Sequence, residues 1–187
     1  IVGLRYEYHR VKQVSNRVEG TGFYDDLTEE SGDKSFSLWG GKITLEHDLT
    51  DEQMLFTSFT RGYKAGGVNG GIFREADDPL IYEEEILYNF EVGLNSQWLD
   101  SRLLSQITAF YLYRDKPQLR DFEGSGGLFR YFTENGNRAE HYGIEAEATW
   151  FISRALTARA GLGMLEIQDQ DGDELANSPD HTYNAQL

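Results

Sequence analysis

The sequence predicts an all-β fold: an antiparallel up-and-down meander of about eight strands of a transmembrane β-barrel. Three observations predict it. Apolar and polar residues alternate with period two in one segment after another. Short and long polar connections alternate strictly along the chain. The strand-like segments run to about 10–14 residues, which suits a tilted membrane crossing better than the shorter strands of a sandwich.

Taken in chain order, the first segment sets Val2, Leu4, Tyr6 and Tyr8 against Arg5, Glu7 and His9. In 39–48, Trp39, Ile43 and Leu45 oppose Lys42, Thr44 and Glu46. Segments 54–65 and 103–114 are apolar and aromatic with neither parity clean, so their faces stay open. In 86–94, Ile86, Tyr88, Phe90, Val92 and Leu94 fall on one side and Asn89, Glu91 and Gly93 on the other. In 141–152 the apolar side is Tyr142, Ile144, Ala146, Ala148, Trp150 and Ile152, against His141, Glu145, Glu147 and Thr149. In 156–164, Leu156, Ala158, Ala160, Leu162 and Met164 oppose Thr157, Arg159, Gly161 and Gly163. Glycine inside these segments, with many aromatic and β-branched residues, argues against helix.

Short polar turns are expected at Leu49-Thr50-Asp51-Glu52, Leu99-Asp100-Ser101-Arg102 and Ser153-Arg154-Ala155, and long polar stretches near 15–34, 66–84, 115–134 and 168–181. In a meander, alternate connections share one end of the sheet. All the short turns therefore fall at one end and all the long loops at the other, an asymmetry typical of transmembrane barrels. Trp98 and Trp150 each precede a short turn, where an interfacial aromatic girdle belongs. A soluble sandwich or lipocalin-like barrel gives the same alternation with apolar side chains inward and is the alternative fold.

Composition narrows the function. The 187 residues carry 17 Lys+Arg against 32 Asp+Glu, a net charge of -15, with no basic cluster to displace phosphate counterions; nucleic acid is excluded as a partner. The longest apolar run, Ala109 to Tyr113, is far short of a spanning helix. Without cysteine there is neither a disulfide scaffold nor a Cys-ligated zinc site. A strand pattern already runs at Ile1 and still runs at Tyr183–Leu187, the pattern expected of a piece of a longer protein.

Catalytic constellations are weak. Glu91, Glu145 and Glu147 share a polar parity that a glycosidase could use, but a polar lumen requires the same residues, and Arg159 is expected to join them there. The four histidines, His9, His47, His141 and His181, are scattered singly and form no triad with serine and aspartate. Asp169-Gln170-Asp171-Gly172-Asp173-Glu174 places carboxylates like a calcium loop, with Asp180 twelfth, yet its glycine falls fourth instead of sixth; a solvated loop is the preferred reading. Gly66-Gly67-Val68-Asn69-Gly70-Gly71 lacks the following Gly-Lys-Ser/Thr of a phosphate cradle and is expected to bend a strand end into its loop. No cofactor is implied.

Three segments carry a family resemblance. Arg61-Gly62-Tyr63-Lys64-Ala65-Gly66-Gly67-Val68-Asn69 resembles the R-G-[FY]-K-x-G-G-x-N segment of TonB-dependent outer-membrane receptors. Glu91-Val92-Gly93-Leu94-Asn95-Ser96-Gln97-Trp98-Leu99-Asp100-Ser101-Arg102-Leu103 resembles their E-x-G-x-K-x-x-x-x-D-x-R-L strand–turn–strand, with Asn95 where lysine is usual. Tyr142-Gly143-Ile144-Glu145-Ala146-Glu147 resembles Y-G-x-E-x-E. The resemblance implies a transporter of the bacterial outer membrane, not an enzyme, in which an N-terminal plug fills a barrel of about 22 strands and TonB delivers energy for uptake of a ferric siderophore or similar scarce nutrient. Its partners would be TonB, the receptor's own plug, the ligand and outer-membrane lipid.

On that reading residues 1–187 are a partial barrel domain, with plug and remaining strands absent. Ligand capture would use the long-loop end, where Arg61, Lys64, Arg74, Arg114, Lys116, Arg120, Arg130 and Arg138 lie among many acidic residues. Arg61, Lys64, Arg120, Arg130 and Tyr131 are the ligand-contact candidates, Tyr131 with Phe129 and Phe132 beside the Gly124-Ser125-Gly126-Gly127 stretch. A soluble glycan-binding module and a purely structural outer-membrane barrel are the competing functions.

Overall fold

The computed structural model describes residues 1–18, 27–70, 78–125, 128–169 and 179–187. The elements are β1 (Val2–Val18), β2 (Leu27–Thr50), β3 (Gln53–Lys64), β4 (Gly67–Val68), β5 (Ile81–Tyr82), β6 (Glu85–Trp98), β7 (Leu103–Asp115), β8 (Gln118–Ser125), β9 (Leu128–Asn135), β10 (Arg138–Phe151), β11 (Thr157–Asp169) and β12 (His181–Gln186). Eight of them form one antiparallel sheet in the order β1-β2-β3-β6-β7-β10-β11-β12. Two small hairpins, β4-β5 and β8-β9, stand apart from it. No helix occurs among the described residues.

Paired residues of an antiparallel sheet point to the same face, so the register tests every face assignment together. Val92 pairs with Thr57 and Ala109, Ala109 with Ile144, and Ile144 with Met164. Phe90 pairs with Phe59 and Tyr111, and Ala146 with Ile107 and Leu162. Val2, Leu4 and Tyr6 join through Ile43, Gly41 and Trp39. One continuous apolar face therefore crosses all eight strands, and it is open to its surroundings: Tyr6 is 68% exposed, Phe90 51%, Val92 48% and Ile144 51%. A soluble fold would bury this surface against a second layer; here it is the outside.

The same register measures the apolar band. At the long-loop end Tyr6 pairs with Trp39, Arg61 with Tyr88, and Tyr88 with Tyr113, while at the short-turn end Leu103 pairs with both Trp98 and Trp150. Tyr88 and Trp98 lie ten residues apart on one strand. At about 3.3 Å per residue and a tilt of about 40°, the belts stand about 25 Å apart, the height of the apolar band of an outer-membrane barrel.

The faces left open by the sequence are now assigned. Leu55, Thr57 and Phe59 of β3 and Ile107, Ala109 and Tyr111 of β7 belong to the apolar face, whereas Phe56 and Phe110 belong to the polar one. Those two rings cover glycines of neighbouring strands: a Cβ at Gly93 would meet Phe56 at 2.5 Å, and one at Gly143 would meet Phe110 at 2.8 Å.

Two expectations are corrected. The stretch 15–34 is mostly ladder, not loop, because β1 and β2 stay paired up to Val18 and Leu27. The stretch 115–134 contains the β8-β9 hairpin, paired from Gln118 with Asn135 to Ser125 with Leu128. Both ribbons lie above the belts, where both faces can be wet and strand formation needs no hydrophobic alternation. The three short turns lie where expected. Leu99, Asp100 and Ser101 all adopt positive φ in the middle one. Arg102 then reaches the next turn, donating from Nη2 to the Ile152 carbonyl at 2.6 Å.

Candidate functional site

The long-loop end holds the structured part of the surface. Of the connection between β3 and β6, Gly66 and Val68 fold against the polar face of β2. Gly32 leaves room for Val68, whose side chain a Cβ there would meet at 2.5 Å, and Gly66 leaves room for the Phe36 ring. Phe36 and Leu38 are 3% and 2% exposed beneath this cover. Lys34 of β2 pairs with Glu83 of the connection at 3.2 Å.

Glu85, 4% exposed at the start of β6, anchors the next layer. Its Oε1 accepts from Arg114 Nε at 2.7 Å and its Oε2 from the Gln118 N–H at 2.9 Å. Burial alone would push this carboxyl up, but the hydrogen bonds from Arg114 and Gln118, with the charges of Arg114 and Lys64, outweigh it and hold the group below the ordinary glutamate value. Glu85 lies three residues beyond Tyr88 and so outside the membrane-spanning segment.

Three amide side chains join the connection to the β8-β9 hairpin. Gln118 Nε2 donates to the carbonyls of Ala65 (2.9 Å) and Glu83 (3.0 Å). Asn135 Nδ2 donates to the Glu83 carbonyl at 3.1 Å and its Oδ1 accepts the Glu83 N–H at 2.7 Å. Asn69, 7% exposed, donates to the carbonyls of Pro79 (2.7 Å) and Thr133 (2.6 Å) and accepts the Thr133 N–H at 2.9 Å.

On the hairpin, Phe122 pairs with Tyr131 and Arg120 with Thr133, so Arg120, Phe122 and Tyr131 share one face. The Phe122 and Tyr131 rings lie 4.8 Å apart, tilted by 41°, and Tyr131 is 73% exposed. Phe132, on the alternate face, is buried.

The cations therefore separate. Arg120 is exposed beside the aromatic pair, and Lys64 is exposed at the end of β3, where it pairs in register with Glu85. Arg130 occupies β9 opposite Glu123, and its side chain lies outside the described part, as do Arg74 and Phe129. Arg114 is engaged by Glu85. Arg61 stands on the apolar face, its guanidinium 4.0 Å from the Trp39 ring centre and 5.7 Å from that of Tyr88, donating to the Trp39 carbonyl. The geometry thus unites Arg120 with Tyr131 and leaves Arg61 apart from them.

The remaining polar candidates also have places. Thr108 pairs with Glu145, Gln106 with Glu147, and Thr149 with Arg159, all on the face opposite the apolar one. Glu91 belongs to that face too and accepts from Ser58 Oγ (2.7 Å) and Asn89 Nδ2 (2.8 Å). Residues 170–178, which include most of the calcium-like stretch, lie outside the described residues. No group of three or more metal-ligating side chains occurs among the described residues.

Gln118, Asn135 and Phe122 carry no signal of their own in the sequence, and Glu85 counts there only as one of the acidic residues of the long-loop end. Asn69 stood at the end of the quoted Arg61–Asn69 segment, and Phe122 alternates with Arg120, a two-residue spacing that a strand assignment would have made visible.

An exposed apolar band between aromatic belts, polar side chains opposite and structured loops at one end define the wall of an outer-membrane barrel. Comparison with known proteins agrees: residues 1–187 match the family described as TonB dependent receptor-like, beta-barrel, and the chain belongs to it. Members of this family are transport proteins of the outer membrane, not enzymes. Among curated proteins, the chain is 30% identical over 111 residues to the pesticin receptor of Yersinia pestis, covering 59% of this chain and 15% of that one. It is 28% identical over 132 residues to the ferric-pyoverdine 358 receptor of Pseudomonas putida, covering 69% and 15%.

Among solved structures, the ferric yersiniabactin uptake receptor FyuA from Yersinia pestis superposes with a TM-score of 0.76 at 17% identity, covering 98% of this chain and 27% of that one. The ferric-catecholate import receptor Fiu from K12 E. coli superposes with a TM-score of 0.67, also at 17% identity, covering 97% and 28%. At that identity the likeness shows the fold. The chain spans 15% of the length of the curated relatives it matches.

Proposed function

We propose that residues 1–187 form part of the barrel domain of a TonB-dependent receptor that takes up a ferric siderophore or a similar scarce nutrient. The plug domain and the remaining strands would come from the rest of the protein, and TonB would be the energy-delivering partner. In this reading Glu91, Glu145, Glu147 and Arg159 face the lumen, and outer-membrane lipid covers the apolar face. The ligand meets the hairpin face of Arg120, Phe122 and Tyr131, with Lys64 in register with the buried Glu85 as a further cation.

The carrying observation is that face: a guanidinium beside two rings tilted by 41°, Tyr131 73% exposed, on a hairpin held by the amide side chain of the buried Asn69. A cation beside flat aromatic surface suits a large, anionic, partly aromatic chelate. The test uses the full-length receptor in liposomes, titrated with ferric pyoverdine, ferric yersiniabactin and a ferric tris-catecholate complex. One of them should bind, and the combined Arg120→Ala and Tyr131→Ala changes should weaken it by about tenfold, since one cation contact and one ring contact together are worth about 1–2 kcal/mol. Unchanged affinity in the double variant would remove the hairpin from the site, and energised uptake of none of the chelates would overturn the transport reading.

A further inference from the structure

We propose that residues 65–70 and 78–84 of the connection after β3 and the β8-β9 hairpin form a single body, clasped by Asn69, Gln118 and Asn135, so that the Arg120–Phe122–Tyr131 face is presented ready-made to its ligand instead of being assembled upon it. The ligand part of this statement rests on the function proposed above; the clasp does not. Asn69, Gln118 and Asn135 are positioning residues in this scheme, for their side-chain amides are taken up by backbone groups of the facing segment.

The pattern of hydrogen bonds carries the inference. Each of the three side chains bonds the backbone of the other segment, across sequence separations of 64 residues for Asn69, 53 for Gln118 and 52 for Asn135. Asn69 and Asn135 each use the amide both ways, donating to and accepting from the same partner residue, Thr133 and Glu83 respectively. A side-chain amide that closes such a two-point contact imitates the pairing of one more strand and fixes orientation as well as distance. Glu85 ties the root of the hairpin to the barrel through the Gln118 N–H, and Lys34 ties Glu83 to β2.

Burial raises the stakes. Asn69 is 7% exposed and Glu85 4%, so a lost partner leaves a polar group without water to replace it. The contacts consequently make or break together. A ligand pressing on Tyr131 would also load Thr133, Asn69 and the cover over Phe36 and Leu38.

Three backbone amides, Thr133, Glu83 and Gln118, donate to a side chain across the clasp, which supplies a direct readout. Hydrogen exchange is measured by mass spectrometry on the full-length receptor in liposomes, in peptides covering positions 83, 118 and 133. Peptides from the β6-β7 ladder serve as the control for an intact barrel. In Asn69→Ala, exchange should rise by about tenfold or more at Thr133, which loses its acceptor, and also at Glu83 and Gln118, whose own acceptors remain in place. Asn135→Ala should do the converse and loosen Thr133 although Asn69 is untouched.

Faster exchange confined to the amide that lost its acceptor, in both variants, would overturn the single body. Should one variant fail to insert, the other still decides. Affinity for whichever of the three ferric chelates binds is then measured on the same samples. Coupled exchange with weakened affinity supports both readings, whereas coupled exchange with unchanged affinity upholds the clasp and counts against the hairpin as the ligand contact.

Discussion

Replacing Val92 by arginine puts a charge where the geometry says hydrocarbon begins and ends. Val92 is 48% exposed on the apolar face and pairs with Thr57 and Ala109. It lies four residues from Tyr88 and six from Trp98. At about 3.3 Å per residue and a tilt of about 40°, its Cβ sits about 10 Å below one belt and about 15 Å above the other. A guanidinium there reaches the nearer interface only by extending fully, and its neighbours across the strands offer it no carboxylate. The expected cost is about 2–4 kcal/mol, the range for arginine near the midplane of an outer-membrane barrel. The assay is reversible denaturant unfolding of the full-length receptor from liposomes, with Glu147→Gln as the polar-face control, expected to cost under about 1 kcal/mol. A cost for Val92→Arg no greater than that of the control would refute the assignment. So would nitroxides at positions 92 and 148 that are reached by water-soluble relaxants and shielded from oxygen dissolved in lipid.

Two further outcomes follow from the loop end and the belt. Because the Glu85 carboxyl is held below its ordinary value, its contribution to loop stability is fully present above the unfolded value and is lost as pH falls through the lowered one; pepsin should therefore begin to cut connection 65–84 only at pH below the ordinary glutamate value, and Glu85→Gln should abolish that step. Arg61→Lys should cost about 0.5–1 kcal/mol in unfolding while leaving chelate binding unchanged, because an ammonium cannot lie flat between Trp39 and Tyr88 and the site is on the apolar face; a fall in binding with no change in stability would return Arg61 to the ligand site.

Strands β6, β10 and β11 were legible in the sequence because each has one face in lipid and one in water, and period-two alternation records that contrast directly. Strands β3 and β7 were legible as strands but their faces were not, since Phe56 and Phe110 sit on the polar face against Gly93 and Gly143. A ring over a glycine is a property of two strands together, and a single segment cannot display it. The upper parts of β1 and β2 were hidden for a different reason: above the belts the outer face no longer meets lipid, and polar residues pair there as well as apolar ones. At the site, composition located the cations and the aromatic residues but not their partners. Arg114 looked as available as Arg120 until Glu85 stood beside it, and Arg61 looked like a loop cation until the register placed it with Phe59 and Tyr88. The clasp joins residues more than 50 positions apart and leaves no local pattern to read.

The β1-β2 ladder runs unbroken from the Tyr6–Trp39 pair outward to the Val18–Leu27 pair, twelve further residue pairs. Its hydrogen bonds look alike from end to end, yet they open into different solvents. Between the belts a broken pair leaves N–H and C=O groups facing hydrocarbon, at several kcal/mol per group; above them water takes their place and the net loss falls to about 1 kcal/mol. One uniform ribbon thus behaves as two materials joined at Trp39. Opening from the outer tip would meet first the Val68 cover over Gly32 and the Lys34–Glu83 pair and then the belt, so that the tip can part while the barrel beneath it stays shut.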